Sequence, residues 1–67
     1  MDQRFKISIK AARVNRNISQ KKAAELLGIN RATLRNYESG KSPLRWEILD
    51  KMTSLYKVSI DNLFLPK

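Results

Sequence analysis

Apolar residues recur along this chain at three- and four-residue intervals, interrupted by small polar residues and glycine. Such spacing marks amphipathic helices, and it predicts five helical segments with no strand pattern. The first runs from about Ile9 to Arg16, with Ser8 as N-cap, Asn17 as a left-handed residue after its end, and Ile9 and Ala12 facing inward. The second opens after Ser19 and covers Gln20 to Leu27, with Ala23, Ala24 and Leu27 on its buried face and Gly28 as its stop. Asn30 caps a third helix over Arg31 to Ser39, where Leu34 and Tyr37 point inward and Gly40 ends the run. Beyond the loop Lys41-Ser42-Pro43-Leu44, a fourth helix runs from about Arg45 to Tyr56. Its stripe of Trp46, Leu49, Met52 and Tyr56, widened by Ile48 and Leu55, is broad enough to be the main core element. Ser59 caps a last short helix, Ile60 to Phe64, and Pro66 prevents its continuation.

The segment from Gln20 to Ser39 has the layout of two short helices joined by a tight turn with glycine at its start. Each residue type there has a physical reason. A small Ala24 lets the helices approach closely, and Gly28 supplies the positive φ of the turn. Ile29 plugs the turn into the core, and Leu34 and Tyr37 hold the third helix against the second.

Composition narrows the function. The chain has 67 residues, 14 Lys and Arg, 6 Asp and Glu, no His and no Cys, for a net charge of +8. A domain of about 60 residues buries only roughly 60% of its unfolded surface, so one small domain is expected. Without Cys or His, neither a disulfide nor a conventional zinc site can form. No metal site, cofactor loop, general base or nucleophile constellation is legible, so no enzyme is expected. There is no apolar run of membrane-spanning length. The start, Met1 to Ser8, lacks the apolar core of a secretion signal, so the chain reads as cytoplasmic. Pro66 and Lys67 fit the end of a short whole protein.

The charge is uneven. Residues 1–45 carry eleven Lys and Arg against three carboxylates, whereas residues 46–67 carry three against three. A basic working face backed by a neutral, apolar support points to a polyanion, with nucleic acid first. Binding to an anionic membrane would call for a long helix with opposed basic and apolar faces, and none is legible. The second helix opens Gln20-Lys21-Lys22, and Arg31 opens the third. Cations in a first turn oppose the helix dipole, at a cost of about 0.3–1 kcal/mol each when exposed. That arrangement makes sense if a phosphate lies beside both helix starts.

From Ile9 to Phe64 the chain resembles the phage Cro and repressor type of DNA-binding domain, the XRE superfamily. The resemblance is carried by Arg13, Ile18-Ser19-Gln20, Ala23-Ala24, Leu27-Gly28-Ile29, Asn30-Arg31, Leu34, Tyr37-Glu38, Gly40-Lys41, Val58-Ser59 and Leu63-Phe64. It departs where Lys21 and Lys22 replace the acidic residues usual after the opening Gln, and where Ser42-Pro43-Leu44 replaces the commoner Asn-Pro-Ser.

The resemblance implies a compact, all-α, five-helix lambda-repressor-like fold with the helix–turn–helix in helices two and three. It implies one domain over 1–67: a short N-terminal arm over 1–7, the helix–turn–helix over 20–39, and a support and dimer region over 45–64. It implies double-stranded DNA as partner, with the third helix in the major groove. Arg31, Ala32, Arg35 and Asn36 are then expected at base edges: Arg31 to guanine, Asn36 to adenine, Ala32 to a thymine methyl. Phosphate contact or free solvent are the other readings for Arg35. Gln20, Lys21, Ser39 and Lys41 are expected at phosphates, and Arg4 and Lys6 lie on the arm. Arg13 and Glu38 are expected to form a structural ion pair, and Trp46 and Tyr56 to lie in the core. One helix reads about 4–6 base pairs, so a homodimer is expected, in solution or formed only on DNA, through Val58, Ile60 and Phe64. The alternative is a protein-interaction module on the same fold, an antirepressor or antitoxin type, with a regulatory protein as partner.

Overall fold

The computed structural model describes residues 6–64. Four α-helices follow a two-residue strand: β1 (Ile7–Ser8), α1 (Ile9–Asn15), α2 (Gln20–Leu27), α3 (Arg31–Ser39) and α4 (Trp46–Tyr56). A single 3-10 turn, Ile60–Asn62, then leads into β2 (Leu63–Phe64). Ile9, Ala12, Ala23, Ala24, Leu27, Leu34, Tyr37, Leu49, Met52, Tyr56 and Leu63 form one core. Every helix contributes to it, and Ala23 and Ala24 are small enough to let α2 pack closely at its centre.

All four helices end alike. A left-handed residue follows each helical run: Gly28, Gly40 and Lys57 directly after α2, α3 and α4, and Asn17 one position further on, past Arg16, after α1. The next N–H then reaches back five residues: Ile18 to Arg13 O, Ile29 to Ala24 O, Lys41 to Asn36 O and Val58 to Thr53 O. This is the Schellman ending, which satisfies the last carbonyls and favours an apolar residue in that reaching position. Ile18, Ile29 and Val58 meet the preference and pack against the core. At the end of α3 the same position holds Lys41, which is exposed.

Four expectations need correction. The predicted fifth helix is one 3-10 turn. Ser59 Oγ does accept from Asp61 N–H at 3.2 Å, but Leu63 is extended and 97% buried, and pairs with Ile7 in parallel register while Phe64 pairs with Ser8. A two-residue pairing has no period to read, so the strand pattern was not visible. Ile7 consequently belongs to the body and not to a free arm; it packs half-buried against the core. Arg4, also expected on the arm, lies outside the described residues.

The third correction concerns Trp46. It was expected in the core, yet 70% of it is exposed, whereas Tyr56 from the same stripe is 2% exposed. Helical side chains lean toward the helix N-terminus. At the first position of α4 that direction leads off the end of the helix, so the phase of the stripe is right but nothing stands opposite its first residue. Arg45, expected to begin the helix, instead occupies the N-cap position and provides no side-chain cap.

Candidate nucleic-acid interface

α2 and α3 meet across a three-residue connection, Gly28 to Asn30, whose geometry follows from its residues. Gly28 sits at φ 74°, where a Cβ would meet nothing within 4 Å. Its need is therefore conformational and not steric: an L side chain would strain the backbone without clashing. Ile29 anchors the turn, and Asn30 then caps α3, its Oδ1 accepting from Ala32 N–H at 2.8 Å. Ser19 caps α2 in the same way, with Oγ accepting from Lys22 N–H at 3.0 Å.

These two helix starts share an electrostatic property. Neither has an acidic residue in its first turn, and both caps are neutral. The positive end of each helix dipole is thus left without a counter-charge, and Lys21, Lys22 and Arg31 stand exposed around the two ends. Arg31 and Arg35 are also like charges at i and i+4 on α3, an arrangement that costs an isolated helix about 0.2–0.5 kcal/mol.

Behind this face a buried ion pair joins the elements. Arg13 Nε donates to Glu38 Oε2 at 2.7 Å and Arg13 Nη2 to Glu38 Oε1 at 3.3 Å, with both side chains over 90% buried. Arg13 Nη1 donates to Ile18 O at 2.8 Å, and Gln20 Nε2 to Glu38 Oε1 at 3.1 Å. One ion pair therefore ties α1, the turn after it, the start of α2 and the end of α3. Such a pair adds little net stability over an apolar replacement, but its geometry fixes how α3 is presented. Tyr56 lies close enough to feel both charges. Its hydroxyl is pushed up to about 12, first by burial and then by the Glu38 carboxylate, with Arg13 pulling the other way. The Tyr56 Oη is buried and has no hydrogen-bond partner.

The residues expected at DNA fall into groups. Arg31, Ala32 and Arg35 are exposed on α3, and Asn36 is half-buried. Lys21 and Lys41 are exposed at the start of α2 and just past the end of α3. Ser39 is exposed, but its hydroxyl donates to Asn36 O at 3.2 Å. Gln20 is half-buried, with one amide N–H committed to Glu38. Gln20, Arg35, Glu38 and Ser39 line one cleft of about 250 Å³, and its remaining wall is Lys10 of α1. Sequence reasoning gave Lys10 no role. The available signal was its spacing: it precedes Arg13 by three residues, and so shares the face of α1 that meets the end of α3.

The other expected interface residues lie on the neutral side. Val58 is half-buried against the core, while Ile60 is 38% and Phe64 50% exposed. Trp46, Leu49, Asp50, Val58 and Ile60 border an open groove of about 270 Å³ there. No helix among the described residues is long and apolar enough to cross a membrane.

A family model described as helix-turn-helix matches residues 9–63. The chain belongs to the helix-turn-helix family of the Cro/repressor, or XRE, type. It is a DNA-binding transcriptional regulator of that type. The match spans α1 to the first residue of β2, so this helix-turn-helix domain comprises the supporting elements as well as α2 and α3. No curated protein and no solved structure matches the chain at a significant level.

Proposed function

We propose that this helix-turn-helix protein recognises a specific double-stranded operator, as a phage or bacterial Cro/repressor-type regulator, and reads the major groove with α3. The observation that carries the proposal is the pair of uncompensated helix starts: neutral caps, no first-turn acid and three exposed cations at α2 and α3. A polyanion supplies the missing counter-charge at both ends at once. Arg31, Ala32 and Asn36 contact base edges, and Lys21 and Lys41 contact phosphates on either side. The Arg13–Glu38 pair holds α3 in place and takes no part in chemistry.

Two copies bind together, because one reading helix recognises too few base pairs for selectivity. Ile60 and Phe64, exposed away from the basic face, support pairing there, with Val58 behind them and Trp46 beside them. Half-site centres then lie about 34 Å apart, one helical turn.

Selection of bound duplexes from a random pool tests the first part. An enriched, roughly palindromic sequence is expected. Arg31→Ala should relax choice at one base pair of each half-site, costing about 1–3 kcal/mol there. Equal weakening on every sequence would make Arg31 a phosphate contact. DNA retention unaffected by salt, together with salt-insensitive capture of one protein, would instead favour an antirepressor or antitoxin-type module. Sedimentation of a labelled duplex tests the second part: Ile60→Asp should reduce affinity for the full site while sparing the half-site. A saturated complex with one protein per site would overturn pairing.

A further inference from the structure

We propose that Lys10 and Arg35 together hold one phosphate of the DNA backbone at the mouth of the cleft between α1, α2 and α3. This rests on the reading of the protein as a duplex-DNA binder, and it moves Arg35 from the base-reading set to the positioning set.

Four observations converge. First, Lys10 of α1 and Arg35 of α3 are exposed cations from different helices that line the same cleft. Among the described residues neither has an ion-pair partner. Like charges brought to one concavity repel, and an anion between them removes the repulsion. Second, the carboxylate at the cleft's inner side does not oppose an anion in the usual way. Glu38 is neutralised by Arg13, both of its oxygens are occupied by Arg13 and Gln20, and its side chain is only 5% exposed. Third, Gln20 spends one amide N–H on Glu38 and keeps the second. The bond to Glu38 thus holds a neutral donor at the cleft. Fourth, the cleft adjoins the proposed groove-reading face, since Arg35 follows Arg31 by one turn of α3. A guanidinium and an ammonium lining one cleft suit a phosphodiester oxygen pair, whereas base-edge recognition needs a planar group aimed into the groove alone. Ser39, whose hydroxyl proton is directed to Asn36 O, shapes the wall.

The test uses the full chain, a mixed-sequence duplex and the selected site, with affinity measured by fluorescence anisotropy over a range of salt. Lys10→Ala and Arg35→Ala should each weaken both duplexes by the same factor. Combining them should add little beyond the larger single effect, because they share one phosphate. The double variant should flatten log affinity against log salt by about 0.9. Equivalently, the wild-type advantage shrinks about eightfold for each tenfold rise in salt. Lys10→Arg should bind as wild type, and Lys51→Ala on α4 should change nothing. A methylphosphonate at the shared phosphate should erase the effects of both alanine variants together. A changed preference at one base pair in Arg35→Ala, with Lys10→Ala silent, would overturn the proposal and return Arg35 to the base edges. Fully additive losses with a slope change near 1.8 would also overturn it, since two phosphates would then be held. If wild type binds no duplex at any salt, the DNA-binding reading itself fails; a wild type that binds while Lys10→Ala is unaltered refutes only the shared phosphate.

Discussion

The start of α4 is built differently from the starts of α2 and α3. α2 and α3 have side-chain caps, Ser19 and Asn30, and no acid in the first turn. α4 has no side-chain cap and places Glu47 in its first turn. The supporting helix sets a carboxylate at its dipole, as isolated helix physics favours, and Glu47 there also lies 3.6 Å from the exposed N-cap residue Arg45. α2 and α3 satisfy their N–H groups with neutral oxygens and leave the dipole open. The helix ends repeat the contrast. Val58 fills the reaching position of the Schellman ending after α4 with an apolar plug, whereas the ending after α3 uses the same backbone bond to carry Lys41 into solvent. One backbone device therefore serves packing in one half and charge presentation in the other. The difference teaches that the working half departs from local optima where a polyanion would offset the cost.

The largest expected effect lies at the joint between the halves. Glu38→Ala leaves the Arg13 guanidinium buried without its partner and should destabilise the fold by about 3–5 kcal/mol in chemical denaturation. Arg13→Met combined with Glu38→Leu should recover much of that loss while still weakening DNA binding through misplacement of α3. Wild-type stability in Glu38→Ala would break the comparison, since nothing would then couple reading face to support.

Tyr56 tests the support side of the same network. Its folded pKa of about 12 lies above the ordinary 10.0, so above pH 10 the unfolded chain releases this proton first. The stability contribution is intact below pH 10 and is lost as pH rises toward 12, at about 1.4 kcal/mol per pH unit at most. Tyr56→Phe removes this contribution and an unsatisfied buried hydroxyl. It should match or exceed wild-type stability at pH 7, and its advantage should widen between pH 10 and 12. Parallel stability curves across that range would show that Tyr56 has solvent access when folded.

The two Schellman endings predict a crossed result. Val58→Ala should lower stability by about 1 kcal/mol and leave the salt dependence of DNA binding unchanged. Lys41→Ala should do the reverse, with stability held and the salt slope flattened by about 0.9. Equal stability losses would mean that both positions serve packing.

The smallest effects are at the helix starts. Lys21→Ala should raise stability by about 0.3–1 kcal/mol, and Glu47→Ala should lower it by a similar amount. Only Lys21→Ala should weaken DNA binding. Thermal melts at low salt resolve the signs, and a loss in both variants would contradict the dipole account.

Much of this protein was determined locally. The bounds of α2 and α3, their caps, the turn at Gly28 and the left-handed Asn17 all follow from residue types whose preferences act within one or two turns. The family motif was legible for the same reason, because its small, glycine and aliphatic positions answer to that local geometry. The tertiary structure decided what depends on what stands opposite. Trp46 fits the apolar stripe of α4, yet its side chain leans off the helix end where no element covers it. Residues 60–64 carry a capping signal, yet Leu63 leaves the helical path because burial and pairing with Ile7 outweigh one further turn. Lys10 carries no role legible in the sequence; it lines the cleft because the Arg13–Glu38 pair sets α1 against α3. Periodicity states which side of an element is apolar; only the packed chain states whether another element meets that side, because that meeting is made by residues distant in sequence.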